Sequence, residues 1–115
     1  MKPLEYDLEI WKGQTFEKEF LWMDPLSQPV DLSQATAKMQ IRPTALAPLV
    51  IVELSTENGR IILNSPLGGI KLLLSANVST AVPQTRGVYD LEIYFPNSTL
   101  RFAKGNVVFH NEVTR

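Results

Sequence analysis

Apolar and polar residues alternate with a period of two along most of this chain, the spacing of β-strands with one dry face and one wet face. The same five residues, Tyr-Asp-Leu-Glu-Ile, occur at Tyr6–Ile10 and again at Tyr89–Ile93. Each copy places Tyr, Leu and Ile on one face and Asp and Glu on the other, as an antiparallel sheet backed by a core requires. The flanks differ: Trp11-Lys12-Gly13 follows the first copy and Tyr94-Phe95-Pro96 the second. These are two similar strands rather than a duplicated unit.

The remaining punctuation is also β-type. Residues 4–10 form the expected first strand and residues 15–23 the second, with Phe16, Phe20 and Trp22 on one parity and Lys18 out of place among them. Asp24-Pro25 to Gln28-Pro29 is a turn, because its prolines fix φ and remove ladder donors. After a side-chain turn at Asp31-Leu32-Ser33, Ala37, Met39 and Ile41 alternate with Lys38, Gln40 and Arg42. Residues 44–48 connect to a strand whose inner set is Val50, Val52 and Leu54. Glu57-Asn58-Gly59 then carries the signature of a hairpin that pairs residues 60–63 back onto that strand. A turn through Asn64-Ser65-Pro66 and Gly68-Gly69 leads to Ile70, Leu72 and Leu74. Residues 75–82 are the one expected helix, capped by Ser75 and stopped by Pro83. A strand from Gly87 buries Tyr89, Leu91, Ile93 and Phe95, and Pro96-Asn97-Ser98 turns it into a last strand over residues 99–109. The inward set of that last strand shifts parity between Phe102 and Val107, which places a β-bulge at Gly105. About eight short strands and at most one short helix predict a single all-β domain, an immunoglobulin-like antiparallel β-sandwich spanning residues 1–115.

Composition narrows the function more by exclusion than by suggestion. The 115 residues suit one domain with its own core, and the 11 basic and 12 acidic side chains give a net charge of −1. No Lys/Arg cluster suits a phosphate backbone or an anionic membrane, so neither nucleic acid nor membrane is an expected partner. The chain has no cysteine, which excludes disulfides, thiolate metal sites and a thiol nucleophile. No signal peptide or membrane span is expected, and the chain is expected to be made in the cytoplasm.

Candidate chemistry is sparse. His110 is the only histidine, too few for a zinc site without Cys ligands, and no cofactor is expected. The carboxylates Asp7/Glu9 and Asp90/Glu92 read as the wet faces of two strands that are not directly opposed, since facing like charges repel. Gly68-Gly69 lacks the Lys-Ser/Thr of a phosphate loop, and no serine sits in a nucleophile-elbow context. An enzyme is not expected. What remains is surface. Trp11, Leu21, Met23, Ile51, Leu73, Val88 and Tyr94 fall on the parity opposite to the core and are the candidate interface residues.

These stretches, taken in order, resemble a group of small β-sandwich proteins of tailed phages and prophages. The matching pieces are Tyr6-Asp7-Leu8, Gly13 with Thr15-Phe16, and Asp31-Leu32-Ser33. Ala37-Lys38-Met39-Gln40-Ile41-Arg42 and Gly59-Arg60-Ile61 follow. Gly87-Val88-Tyr89-Asp90-Leu91-Glu92, Gly105 and Glu112-Val113-Thr114-Arg115 complete the series. Gln34 departs from a preferred Gly, and His110-Asn111 from a usual Ser-Pro. A weaker similarity is to the N-terminal domain of phage upper baseplate proteins. The resemblance implies a virion structural protein of the tail (baseplate, collar or fibre attachment). It would assemble with copies of itself and other phage structural proteins, with no catalytic residues to carry over. Rival readings are a capsid decoration protein and a carbohydrate-binding module for host attachment, in which Trp11 and Tyr94 would supply aromatic platforms.

Overall fold

In the computed structural model, which describes residues 2–114, the chain forms two facing sheets. Sheet A is built on β4 (Thr36–Arg42), β5 (Val52–Ser55), β8 (Arg86–Phe95) and β9 (Ser98–His110). Two N-terminal segments, β1 (Leu4–Glu5) and β2 (Leu8–Trp11), pair in parallel with β9 at its edge. Sheet B has the order β3 (Phe16–Leu21), β7 (Gly69–Leu74), β6 (Ile61–Asn64). The helix α1 (Ala76–Thr80) follows β7, with the Ser75 hydroxyl accepting from the Val78 N–H as its cap.

This is the immunoglobulin strand order. β3-β7-β6 occupies the positions of strands B-E-D, and β9-β8-β4-β5 those of G-F-C-C′. The disulfide and strand-C Trp of antibody domains are replaced by apolar packing. Met39 of β4 and Leu91 of β8, neighbours in register and both fully buried, fill the middle of sheet A. Ile70, Leu72 and Leu74 line the inner face of β7 opposite them. Alternation holds best in β4 and β8, as expected for strands with one wet face.

Several expected details are corrected. The first strand is not continuous, because the ladder is interrupted at Tyr6 and Asp7. There Asp7 Oδ1 takes the Asn106 N–H (2.9 Å) and the Tyr6 carbonyl accepts the Tyr89 hydroxyl (2.6 Å). Tyr6 is therefore not a core residue. Its ring stands edge-on to Phe20 (5.4 Å) at the rim of the sandwich, with the Lys18 ammonium 4.4 Å from its centroid. That contact explains why Lys18 occupies an apolar parity: the cation lies over an aromatic face.

Asn58 does not make a hairpin. β5 pairs with β4 and β6 with β7, so the chain crosses between sheets here. The Asn58 amide drives the crossing: its Oδ1 accepts from the Ser55 and Arg60 N–H groups, and its Nδ2 donates to the Glu53 carbonyl. Val50 lies outside β5 as a half-buried loop residue.

The bulge is at Phe102, not Gly105. Leu91 pairs with Ala103 and Glu92 with Arg101, so Phe102 is the extra residue and both Phe102 and Ala103 point inward. Gly105 serves a different purpose: a Cβ there would collide with the Tyr6 carbonyl, so glycine admits the interrupted edge strand. Ser65–Leu67 forms one 3₁₀ turn ended by Gly68 in the left-handed region (φ 67°).

Candidate interaction surface

The outer face of sheet A is organised in cross-strand rows. Register aligns Glu53, Gln40, Asp90, Lys104 and Glu5 across β5, β4, β8, β9 and β1. Adjacent polar side chains in such rows contribute a few tenths of a kcal/mol each, up to about 1. Gln40 Nε2 donates to Glu53 Oε1 (2.8 Å), and Arg42 Nη2 donates to Gln40 Oε1 (2.7 Å). Arg42 Nη1 also donates to the Ala47 and Pro48 carbonyls, bracing the loop over residues 43–51. Arg101 pairs with Asp90 at 3.3 Å, both half-exposed, a contact that adds little to stability.

Between that loop and the β1–β2 break lies an open cleft of about 540 Å³, with Arg42, Asp90, Arg101 and Lys104 on its walls and Val88 and Gly105 among its lining residues. Its charges are mixed, and its carboxylates are divided among different partners. Asp7 caps a backbone N–H and Asp90 meets Arg101, while outside the cleft Glu9 meets His110 at 3.1 Å. The two carboxylate pairs lie on strands separated by β9, so they are not opposed. Among the described residues no three His, Asp or Glu side chains are placed to hold a metal ion.

The seven apolar candidates are dispersed. Val88 and Tyr94 lie on the outer face of sheet A, separated along β8 by Asp90 and Glu92. Tyr94 is half-buried and its hydroxyl donates to Glu92 (3.3 Å); burial, then the Glu92 carboxylate, raises its pKa. Leu73 is half-buried on the outer face of sheet B. Ile51 packs against the core and its N–H donates to the Ile41 carbonyl (2.7 Å). Trp11 ends β2, half-exposed and stacked on His110.

Leu21 and Met23 alone lie together. Leu21 pairs with Gly69, Met23 bridges to Pro29, and the intervening Trp22 exchanges backbone hydrogen bonds with Gly68 and Val30. That end of the sandwich also carries Leu26 and Leu67, both more than half exposed, which parity could not find because they sit in turns. Leucines standing in segments otherwise rich in Pro, Ser and Asp were the available signal. At the opposite end Leu46, at the tip of the Arg42-braced loop, is almost fully exposed.

No protein-family model matches the chain, and no curated protein matches it. Solved structures do. The N-terminal domain of phage TP901-1 ORF48 overlays on 96% of this chain and 91% of its own, with a TM-score of 0.52 and 12% identity. A chain from photo-crosslinking analyses of the multimeric cell-adhesive interactions of VGSC beta subunits overlays on 94% of this chain and 93% of its own, with a TM-score of 0.53 and 10% identity. The sandwich is common to all three. At such identities the likeness is one of fold, and fold does not carry function with it.

Proposed function

We propose that this protein is a structural component of a tailed-phage virion, in the tail at a baseplate, collar or fibre-attachment position, working through protein–protein contacts and without a catalytic step. The fold likeness alone does not select this reading, since the VGSC chain overlays as well as the phage domain does. What supports it first is the resemblance of the ordered series of motifs, from Tyr6-Asp7-Leu8 to Glu112-Val113-Thr114, to the pattern of small phage sandwich proteins. A phage domain that matches nearly end to end supports it. So does the end of the sandwich that exposes Leu21, Met23, Leu26 and Leu67, because apolar residues gathered at one end of a small domain suit contacts with other proteins. In a symmetric ring, copies held side by side gain from high effective concentration, so individually weak contacts suffice.

Quantitative mass spectrometry of purified particles, scaled to the major capsid protein, tests the proposal. A small multiple of three or six copies is the expected result. Hundreds of copies would move the chain to the capsid surface, and its absence from particles would overturn the structural role.

A further inference from the structure

We propose that Asn58-Gly59 is a site of spontaneous deamidation whose reaction the folded corner between the two sheets holds back. Of the six asparagines, only Asn58 is followed by glycine. The reaction consumes nothing but water. The Gly59 nitrogen attacks Asn58 Cγ; an N–Cγ bond forms, the Cγ–Nδ2 bond breaks, and Nδ2 leaves as ammonia with the Gly59 N–H proton. Water then opens the cyclic imide at either carbonyl, giving aspartate or isoaspartate. The sum exchanges ammonia for water, with no oxidation or reduction.

The site has the room and the water that this chemistry requires. Glycine lacks the Cβ that would crowd the attacking nitrogen. Gly59 takes φ 80°, no atom beyond its chain neighbours lies within 4 Å of where a Cβ would stand, and Asn58 is exposed. What restrains the residue is hydrogen bonding. Oδ1 accepts from the Ser55 and Arg60 N–H groups, Nδ2 donates to the Glu53 carbonyl, and the Asn58 N–H donates to Ser55 Oγ, each at 3.0 Å. The leaving nitrogen is thus anchored to β5, and its bond to Glu53 must break before it can depart. A group held this way reacts through an opened form, at a rate scaled by how often the corner opens.

The product cannot rebuild the corner. A carboxylate oxygen replaces Nδ2 and has no hydrogen to give the Glu53 carbonyl, which keeps only Arg60 Nη1. The isoaspartyl form also lengthens the main chain by one carbon where it crosses from β5 to β6. No strand lies beyond β5 in sheet A, so the change uncovers a pairing edge, and refolding does not reverse it. Each opening of this corner therefore carries a chance of a permanent chemical mark at Asn58.

The test incubates the full chain in mildly alkaline buffer, folded and in guanidinium chloride. Peptide mass spectrometry follows the one-unit mass gain at each asparagine, and isoaspartyl methyltransferase labelling follows the isoaspartate. In denaturant Asn58 should react first of the six, and in the folded chain at least about tenfold more slowly, the factor that ~1.4 kcal/mol of opening gives. Ser55→Ala keeps Asn58-Gly59 but removes the acceptor of the Asn58 N–H. It should raise the folded rate about two- to tenfold and leave the rate in denaturant unchanged. Equal parental rates in the two conditions, a faster reaction at Asn97-Ser98 than at Asn58 in denaturant, or no acceleration in a folded Ser55→Ala would overturn the proposal. Should Ser55→Ala not fold, the comparison of the parent, folded against unfolded, decides alone.

Discussion

Replacing Tyr89 by Phe removes one oxygen and tests how the N-terminal strand is held. Tyr89 is 4% exposed and pairs in register with Gly105, beneath which its ring passes to reach the Tyr6 carbonyl at 2.6 Å. The bond therefore spans β9 and ties β8 to the interrupted edge. A buried neutral hydrogen bond contributes about 0.5–1.5 kcal/mol net, and an acceptor left unpaired adds to the loss. Tyr6 lies at the exposed rim, so water can reach its carbonyl once the hydroxyl is gone. Tyr89→Phe should then cost about 1 kcal/mol at pH 7, or roughly 4 °C in melting temperature. The phenol also predicts a pH signature. Burial first, then the Asp7 charge, raises its pKa above the ordinary 10.0. The folded state thus keeps a proton that the unfolded state loses above pH 10, and stability falls as pH rises past that value. The slope is at most about 1.4 kcal/mol per pH unit. Urea melts at pH 7 and pH 10.8 measure both effects. If the variant matches the parent within 0.3 kcal/mol at pH 7, or the parent's alkaline loss persists unchanged in Tyr89→Phe, the latch is not what holds the edge.

Three further outcomes are expected. Asn58→Ala strips three hydrogen bonds from the crossing between sheets and should lower stability by about 1–3 kcal/mol; because Asn58 and Arg60 also cover the Glu53 carbonyl at the free edge of β5, light scattering should show faster association. Gly105→Ala sets a methyl group against the Tyr6 carbonyl and should release the β1–β2 edge, seen as loss of hydrogen-exchange protection at Tyr6 while β4 and β8 stay protected. Tyr94→Glu is expected to leave the melting temperature within about 2 °C of the parent, because the side chain is on the wet face, yet to impair incorporation into particles. Normal incorporation would remove Tyr94 from the contact surface.

Local signals carried most of the secondary structure and little of the pairing. The alternation in β4 and β8, the Ser75 cap and the Pro96-Asn97 turn each depend on residues close in sequence, and each stands where the pattern placed it. Asn58 shows the limit. The same Asn-Gly dipeptide suits a hairpin or a corner, and which one forms depends on whether residues 60–63 find a better partner in β7, a non-local choice. The bulge was legible as a parity change but not as a position, because Gly105 offered the conspicuous irregularity and Phe102 did not. Asp7 was similarly opaque. Alternation marks it as a wet carboxylate, whereas it substitutes for a backbone acceptor on the neighbouring strand.

The same limit explains why parity gives apolar residues without giving a surface. Residues on the wet faces of different strands are neighbours only if the sheets bring them together, and here the candidates other than Ile51 come from four strands and the Met23 bridge and are divided between two outer faces and two ends. The molecule is 46 Å along its longest axis. Leu21 and Met23 lie at the end where β8 turns into β9, and Trp11 at the end where β9 finishes. A single two-fold contact presents one patch to an identical patch and would leave one of these ends uncovered. If both ends are contact surfaces, they must meet different neighbours, either another protein at one end or a copy in a head-to-tail arrangement. Head-to-tail contacts close into rings only when the rotation per copy divides a full turn. The geometry thus ties the two sets of residues to separate tests. Leu21→Asp and Trp11→Ala should impair distinct contacts, and their effects on assembly should add rather than merge, since residues this far apart share no partner.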